Sequence, residues 1–189
     1  VAGLVLSCSL CWAEDFPENT DEIKSLTVEQ AAELVAKKGK YLSLDGLTSI
    51  DKDVAQELGK IEGSVGLDGL TSINKAVAQE LANAKKLYLS LPGLTSISKE
   101  VAQELAKHEG EHLSLDGLTS IDKDVAQELA KVDWVSLKGL TSIDKDVAQA
   151  LMNRDFPDLG TFNLVNLELN GLTSIDEDVA QELAKFEGD

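Results

Sequence analysis

One pentapeptide constrains this chain more than any other feature. Gly-Leu-Thr-Ser-Ile begins at Gly46, Gly69, Gly93, Gly117, Gly139 and Gly171, and each copy leads into a run like Val125-Ala126-Gln127-Glu128-Leu129. The spacings between successive copies are 23, 24, 24, 22 and 32 residues. Self-similarity at such a period marks a solenoid, in which each unit buries its apolar face against its neighbours. The 189 residues therefore read as one domain built as a stack of small units.

Each unit carries two kinds of periodicity. It opens with a short alternating run: Leu42/Leu44, Val65/Leu67, Leu89/Leu91, Leu113/Leu115, Val135/Leu137 and Leu167/Leu169. Period-two alternation predicts a half-buried strand. The glycine follows two residues later, where a sharp turn is expected, and the Leu and Ile after it are expected to point into the core. Next come Asp51, Asn74, Ser98, Asp122, Asp144 and Asp176, all residues suited to start a helix. The helix that follows runs two to three turns. Val125 and Leu129, four apart, would face inward, while Gln127, Glu128 and Lys131 would face water. So short a helix is marginal alone and needs its packing. Gly39, Gly63 and Gly110 stand where helix stops are expected.

The ends depart from the pattern. Residues 1–13 are uncharged and apolar, too short to span a bilayer, and read as the apolar part of a secretory signal peptide with Cys11 and Ala13 at its cleavage site. Export is the expected fate. A lipoprotein reading of Val5-Leu6-Ser7-Cys8 is disfavoured by Leu6. Residues 14–25 read as a linker or N-terminal cap. The array proper is expected over 26–189: a half-repeat, in which Thr27 and Gln30 form a capping box, then six full units. An insertion near 152–163, marked as a loop by Pro157 and Gly160, lengthens one unit by about nine residues. Asp189 follows directly on a helix, so an open end with apolar edges is expected: either the array continues beyond these residues or the end pairs with another chain.

Charge narrows the partners. Asp plus Glu number 34 against 17 Lys plus Arg, a formal net charge of -17. Such a surface repels phosphate backbones, which argues against nucleic acid and anionic membranes. Both cysteines, Cys8 and Cys11, lie in the leader, so no disulfide framework is expected in the array.

The unit Leu-x-Leu-x-Gly-Leu-x-x-Ile-[Asp/Asn/Ser], followed by a helix carrying Leu-Ala, resembles the leucine-rich repeat, and most closely its cysteine-containing type. Leu113, Leu115, Ile121, Leu129 and Ala130 occupy matching positions. The ladder Cys or Asn of that family is replaced here by Leu47, Leu70, Leu94, Leu118, Leu140 and Leu172. Thr119 and Ser120 are candidates to take over its bonding to the turn. The resemblance extends to arrays in exported bacterial proteins. It implies an α/β fold, a right-handed solenoid with a parallel sheet on the concave side and short helices on the convex side. It also implies a module that binds proteins or glycans.

In such a stack the positions that vary between units carry individuality. Outward strand positions form three rows. The first holds Tyr41, Ser64, Tyr88, His112, Trp134 and Asn166. The second holds Ser43, Gly66, Ser90, Ser114, Ser136 and Glu168, and the third Asp45, Asp68, Pro92, Asp116, Lys138 and Asn170. Adjacent strands lie about 4.8 Å apart, so Tyr88, His112 and Trp134 are expected to form a continuous aromatic run. Aromatics are only 4% of the chain, so the place of each carries weight. The candidate ligand residues are Tyr41, Tyr88, His112 and Trp134, flanked by Ser90, Ser114, Ser136 and Asp116. Aromatic rings beside hydrogen-bond acceptors suit a peptide or a sugar face, although cross-strand stacking alone also stabilises a sheet.

Catalytic motifs do not survive inspection. His108-Glu109-Gly110-Glu111-His112 matches zinc-protease patterns, but those need both histidines on one continuous helix. Here Gly110 is a helix stop and His112 belongs to the next strand. No phosphate-binding glycine loop is present, and no serine sits in a nucleophile turn with its own His and Asp. The expectation is a non-enzymatic binding or adhesion module with no cofactor and no metal. Its partner would be a protein or a cell-surface polysaccharide on the strand face. The alternative is a structural spacer or self-associating segment of a longer surface protein.

Overall fold

A computed structural model describes residues 17–38, 40–84, 88–109, 112–153 and 166–185. The proposed leader at 1–13, the expected helix stops at Gly39 and Gly110, and nearly all of the insertion near 152–163 lie outside them. The described chain alternates strand and helix without exception. After a short 3-10 turn, Thr20–Glu22, come α1 (Val28–Lys38), β1 (Tyr41–Ser43), α2 (Lys52–Leu58), β2 (Ser64–Gly66) and α3 (Lys75–Ala82). These are followed by β3 (Tyr88–Ser90), α4 (Lys99–Leu105), β4 (His112–Ser114) and α5 (Lys123–Leu129). Last come β5 (Trp134–Ser136), α6 (Lys145–Met152), β6 (Asn166–Glu168) and α7 (Glu177–Leu183). The strands form one parallel sheet in sequential order, β1 to β6. Helices likewise pack on their sequence neighbours. This is an α/β repeat solenoid.

The register follows the sequence period. Leu42, Val65, Leu89, Leu113, Val135 and Leu167 pair in one row across the sheet. The leucines two residues later, from Leu44 to Leu137, are buried, as are the ladder leucines Leu47, Leu70, Leu94, Leu118 and Leu140. Val and Leu at helix positions four apart, such as Val125 and Leu129, close the core from the other side. The isoleucines of the pentapeptide pack against this core but are only partly buried, and Ile175 is exposed.

All six expected caps form. The side chains of Asp51, Asn74, Ser98, Asp122, Asp144 and Asp176 accept from the backbone N–H three residues on, at 2.8–3.4 Å. Thr27 and Gln30 exchange the reciprocal bonds of a capping box.

Three expectations need correction. The turn after each strand is closed by a backbone bond, as in Leu118 N–H to Leu115 C=O at 3.1 Å, and Thr119 and Ser120 are exposed, although the equivalent Thr173 donates its hydroxyl to the Thr141 carbonyl of the preceding unit at 3.2 Å. A hydrophobic ladder residue suits this turn because its own N–H is already bonded to backbone. Gly63 is not a helix stop, since α2 ends at Leu58. A Cβ at Gly63 would lie 2.0 Å from the Lys40 carbonyl oxygen, so stacking between units excludes a side chain there. Glu128 does not face water. It is buried, like Glu104 and Glu182, because neighbouring helices close over this row. A lysine three residues on neutralises each carboxylate.

The same stacking explains the pentapeptide glycines. A Cβ at Gly117 would lie 1.9 Å from the Pro92 carbonyl oxygen of the preceding unit. The N-terminal cap shares this register. A Cβ at Gly46 would meet Asp21 O at 2.1 Å and Ile23 O at 2.6 Å, as one at Gly69 would meet Asp45 O and Leu47 O at 2.3 and 2.5 Å. Asp21 thus stands where Asp45 stands one unit later. Among the described residues no helix is long and apolar enough to cross a membrane.

Candidate binding face

Parallel pairing places every outward side chain of the sheet beside its counterpart in the next unit. The first row brings Tyr88, His112 and Trp134 into contact. Tyr88 stacks on His112 with centroids 4.5 Å apart and planes 12° from parallel. His112 meets Trp134 at 5.2 Å and 75°, an edge-to-face contact. Tyr41 stands apart, two strands from Tyr88 across Ser64, and is 76% exposed. Tyr88 and Trp134 keep 46% and 40% of their surface exposed, whereas His112, enclosed between them, keeps 7%. Its Nδ1 is buried without a hydrogen-bond partner. Burial holds the imidazole below its ordinary pKa, against the opposing pull of Glu168 and Asp116 and with the help of Lys138.

The second row is the floor of the face. Ser136 and Ser114 are buried and Ser90 is half-buried. Ser136 Oγ donates to Asp116 Oδ1 at 2.5 Å, and the Lys138 backbone N–H donates to the same oxygen at 3.0 Å. Burial works to raise the Asp116 carboxyl, but bonds from Ser136, Lys138 N–H and Ser114, with the Lys138 charge, bring it below the ordinary value. Lys138 itself pairs with Glu168 at 2.7 Å. That contact lowers the Glu168 carboxyl and raises the Lys138 ammonium.

Asp116, Asp45 and Asp21 therefore have a common role. Each carboxylate accepts the backbone N–H of the third-row residue in the next unit: Lys138 for Asp116, Asp68 for Asp45, and Asp45 for Asp21. Sequence reasoning placed Asp21 in a linker or N-terminal cap and missed its place in the third row. The signal was present, since Thr20-Asp21-Glu22 lies 24 residues before Leu44-Asp45-Gly46. Glu168 and Lys138 were placed in their rows but not recognised as an ion pair that bridges two strands.

Of the eight candidate ligand residues, seven are brought onto one continuous patch spanning β3 to β5 and its turns, and Tyr41 lies at a distance from them. The chemistry of the patch is that of a surface: exposed ring faces, fixed hydroxyls and carboxylates. Ser136 gives its hydrogen bond to a carboxylate and not to the imidazole. His108 lies beyond the end of α4 and His112 opens β4, so the two histidines do not share a helix. Among the described residues no group of three His, Cys, Asp or Glu side chains could hold a metal ion. No family model, curated protein or solved structure matches the chain.

Proposed function

We propose that the protein is a non-enzymatic binding or adhesion module whose sheet face takes a protein or a cell-surface polysaccharide. One observation carries this reading: the Tyr88–His112–Trp134 run, with two of its rings well exposed, lies on a sheet face that no described element covers. Tyr and Trp in such positions supply large contact area at low entropic cost.

The finer architecture supports the same reading. Parallel strands joined through helices cross over with a right hand in about 98% of cases. Neighbouring strands are about 4.8 Å apart and packed helices about 8–10 Å. Stacking such units bends the array toward its sheet, which becomes the inner, concave face of a leucine-rich-repeat-like solenoid. Export to the periplasm, cell surface or medium fits the apolar leader and the acidic surface.

The test is affinity capture from cell-envelope and culture fractions with the chain as bait, beside a Tyr88→Ala/His112→Ala/Trp134→Ala version with an unchanged circular-dichroism spectrum. A partner held by the first and lost by the second supports the reading. Equal capture by both moves the site off this face. Capture of the chain alone favours a self-associating spacer.

A further inference from the structure

The sheet face has a second feature, over β2. This strand, Ser64–Gly66, presents only a hydroxyl and a glycine to the face, and it lies between the strands that carry Tyr41 and Tyr88. The backbones of Tyr41 and Tyr88 stand two strand spacings apart, about 9.6 Å. Tyr88 gives one face to His112, so its other face looks across β2 toward Tyr41. A slender or flat group touching both rings needs about 7–8 Å. The result is a trough with aromatic walls and a floor of Ser64 and Gly66. Any side chain at Gly66 would close it further and displace the Asp45 carboxylate, whose Oδ1 lies 2.8 Å from where a Cβ would be.

The far end of the trough is acidic. Asp21, Asp45 and Asp68 occupy successive third-row positions, linked by the Asp45 and Asp68 backbone N–H bonds at 3.3 Å. Ser43 Oγ donates to both Asp21 and Asp45. Asp68 differs from its neighbours. The next residue in its row is Pro92, which has no N–H to give, so Asp68 lacks the bond that the other third-row carboxylates receive. Burial and the charges of Asp45 and Asp21 raise its carboxyl above the ordinary value. Among the described residues no ion pair reaches any of the three, although lysines elsewhere neutralise Glu104, Glu128 and Glu168. Negative charge is concentrated here.

We propose that the trough over β2 takes a basic side chain, arginine or lysine, of an extended peptide. The Tyr41 and Tyr88 rings hold its stem and cation, and Asp45 and Asp68 meet the next basic group along the chain. Cations are drawn to aromatic faces, Arg most often, and a peptide steered by three neighbouring carboxylates arrives in this register. The first and third rows lie at most about 13 Å apart along the strands, which an extended segment of about four residues covers. This inference rests on the sheet-face reading above and names the partner class for its N-terminal half.

The experiment titrates a fluorescent peptide of about eight residues, alternating arginine and serine, against the full chain, with a glutamate-for-arginine peptide as control. The variants are Asp45→Asn/Asp68→Asn, which keeps acceptor oxygens in place, Tyr41→Ala, and a helix-side pair, Asp53→Asn/Glu100→Gln. The expected result is about tenfold weaker binding for each trough variant and less than about twofold for the helix-side pair. Equal losses for trough and helix-side carboxylates would mean diffuse attraction by an acidic protein and would overturn the proposal. The same variants enter the capture experiment. A partner lost on the triple aromatic variant but kept on Asp45→Asn/Asp68→Asn leaves the binding face standing and removes the basic-peptide inference. A captured polysaccharide does the same.

Discussion

Tyr88 lies flat on His112, 12° from parallel, and together with Trp134 it removes all but 7% of the imidazole from solvent. The folded chain therefore favours the neutral ring, and the His112 pKa is depressed from its ordinary 6.5. An unfolded chain takes up the proton first as pH falls, so the stability this ring contributes is full above about pH 6.5 and is lost as pH drops toward the folded-state value. His112→Phe keeps an aromatic in the stack and cannot titrate. The melting temperature of the native chain relative to His112→Phe should fall between pH 7 and pH 5. A constant difference across that range would mean that the ring is not enclosed.

Gly117 sits where a Cβ would be 1.9 Å from the Pro92 carbonyl oxygen of the preceding unit. That oxygen belongs to backbone, which can yield only by opening the stack. Gly117→Ala should destabilise by about 3 kcal/mol, the upper range of overpacking. Urea denaturation measures it. A change below about 0.5 kcal/mol, the size usual for surface sites, would show that the units do not approach this closely.

Asp122 caps α5 through the Val125 N–H at 2.8 Å, while Gln127 on the same helix is exposed. Asp122→Ala should cost about 1 kcal/mol and Gln127→Ala close to nothing. Equal effects in thermal denaturation would place the helix start elsewhere.

Leu118 is fully buried in the ladder where the resembled family carries Cys or Asn, and its turn is already closed by the Leu118 N–H bond to Leu115. An Asn there would bury an amide where the turn is already closed by backbone. Leu118→Asn should destabilise by about 2 kcal/mol or more. A neutral or stabilising result would mean that the turn retains unpaired backbone that Asn can reach.

Much of this architecture is legible in the linear sequence because it is local. Strand alternation, the cap residue and the Val125/Leu129 spacing each act within a few residues, and the six Asp/Asn/Ser caps form where the sequence puts them. The aromatic row was legible for a related reason. In a sequential parallel stack, one sequence period becomes one step across the sheet, so Tyr88, His112 and Trp134 had to be neighbours once the register was known.

Other features depend on contacts between units and carry no local signature. Glu128 has the sequence context of a solvated glutamate, yet the packing of adjacent helices buries it beside Lys131. Gly117 looks like a turn glycine, but its need is set by the Pro92 carbonyl 25 residues earlier. Asp21 belongs to the sheet face only because Ile23 and Thr20 stack on the first unit, and the Asp21–Asp45–Asp68 row exists only in that stack. The sequence by itself determined the unit, its strand, its cap and the row each side chain joins, since these follow from short-range backbone geometry. Tertiary structure alone decided which groups lose their water, which backbones touch and which charges stay unpaired, because those depend on side chains about one repeat apart meeting at van der Waals distance.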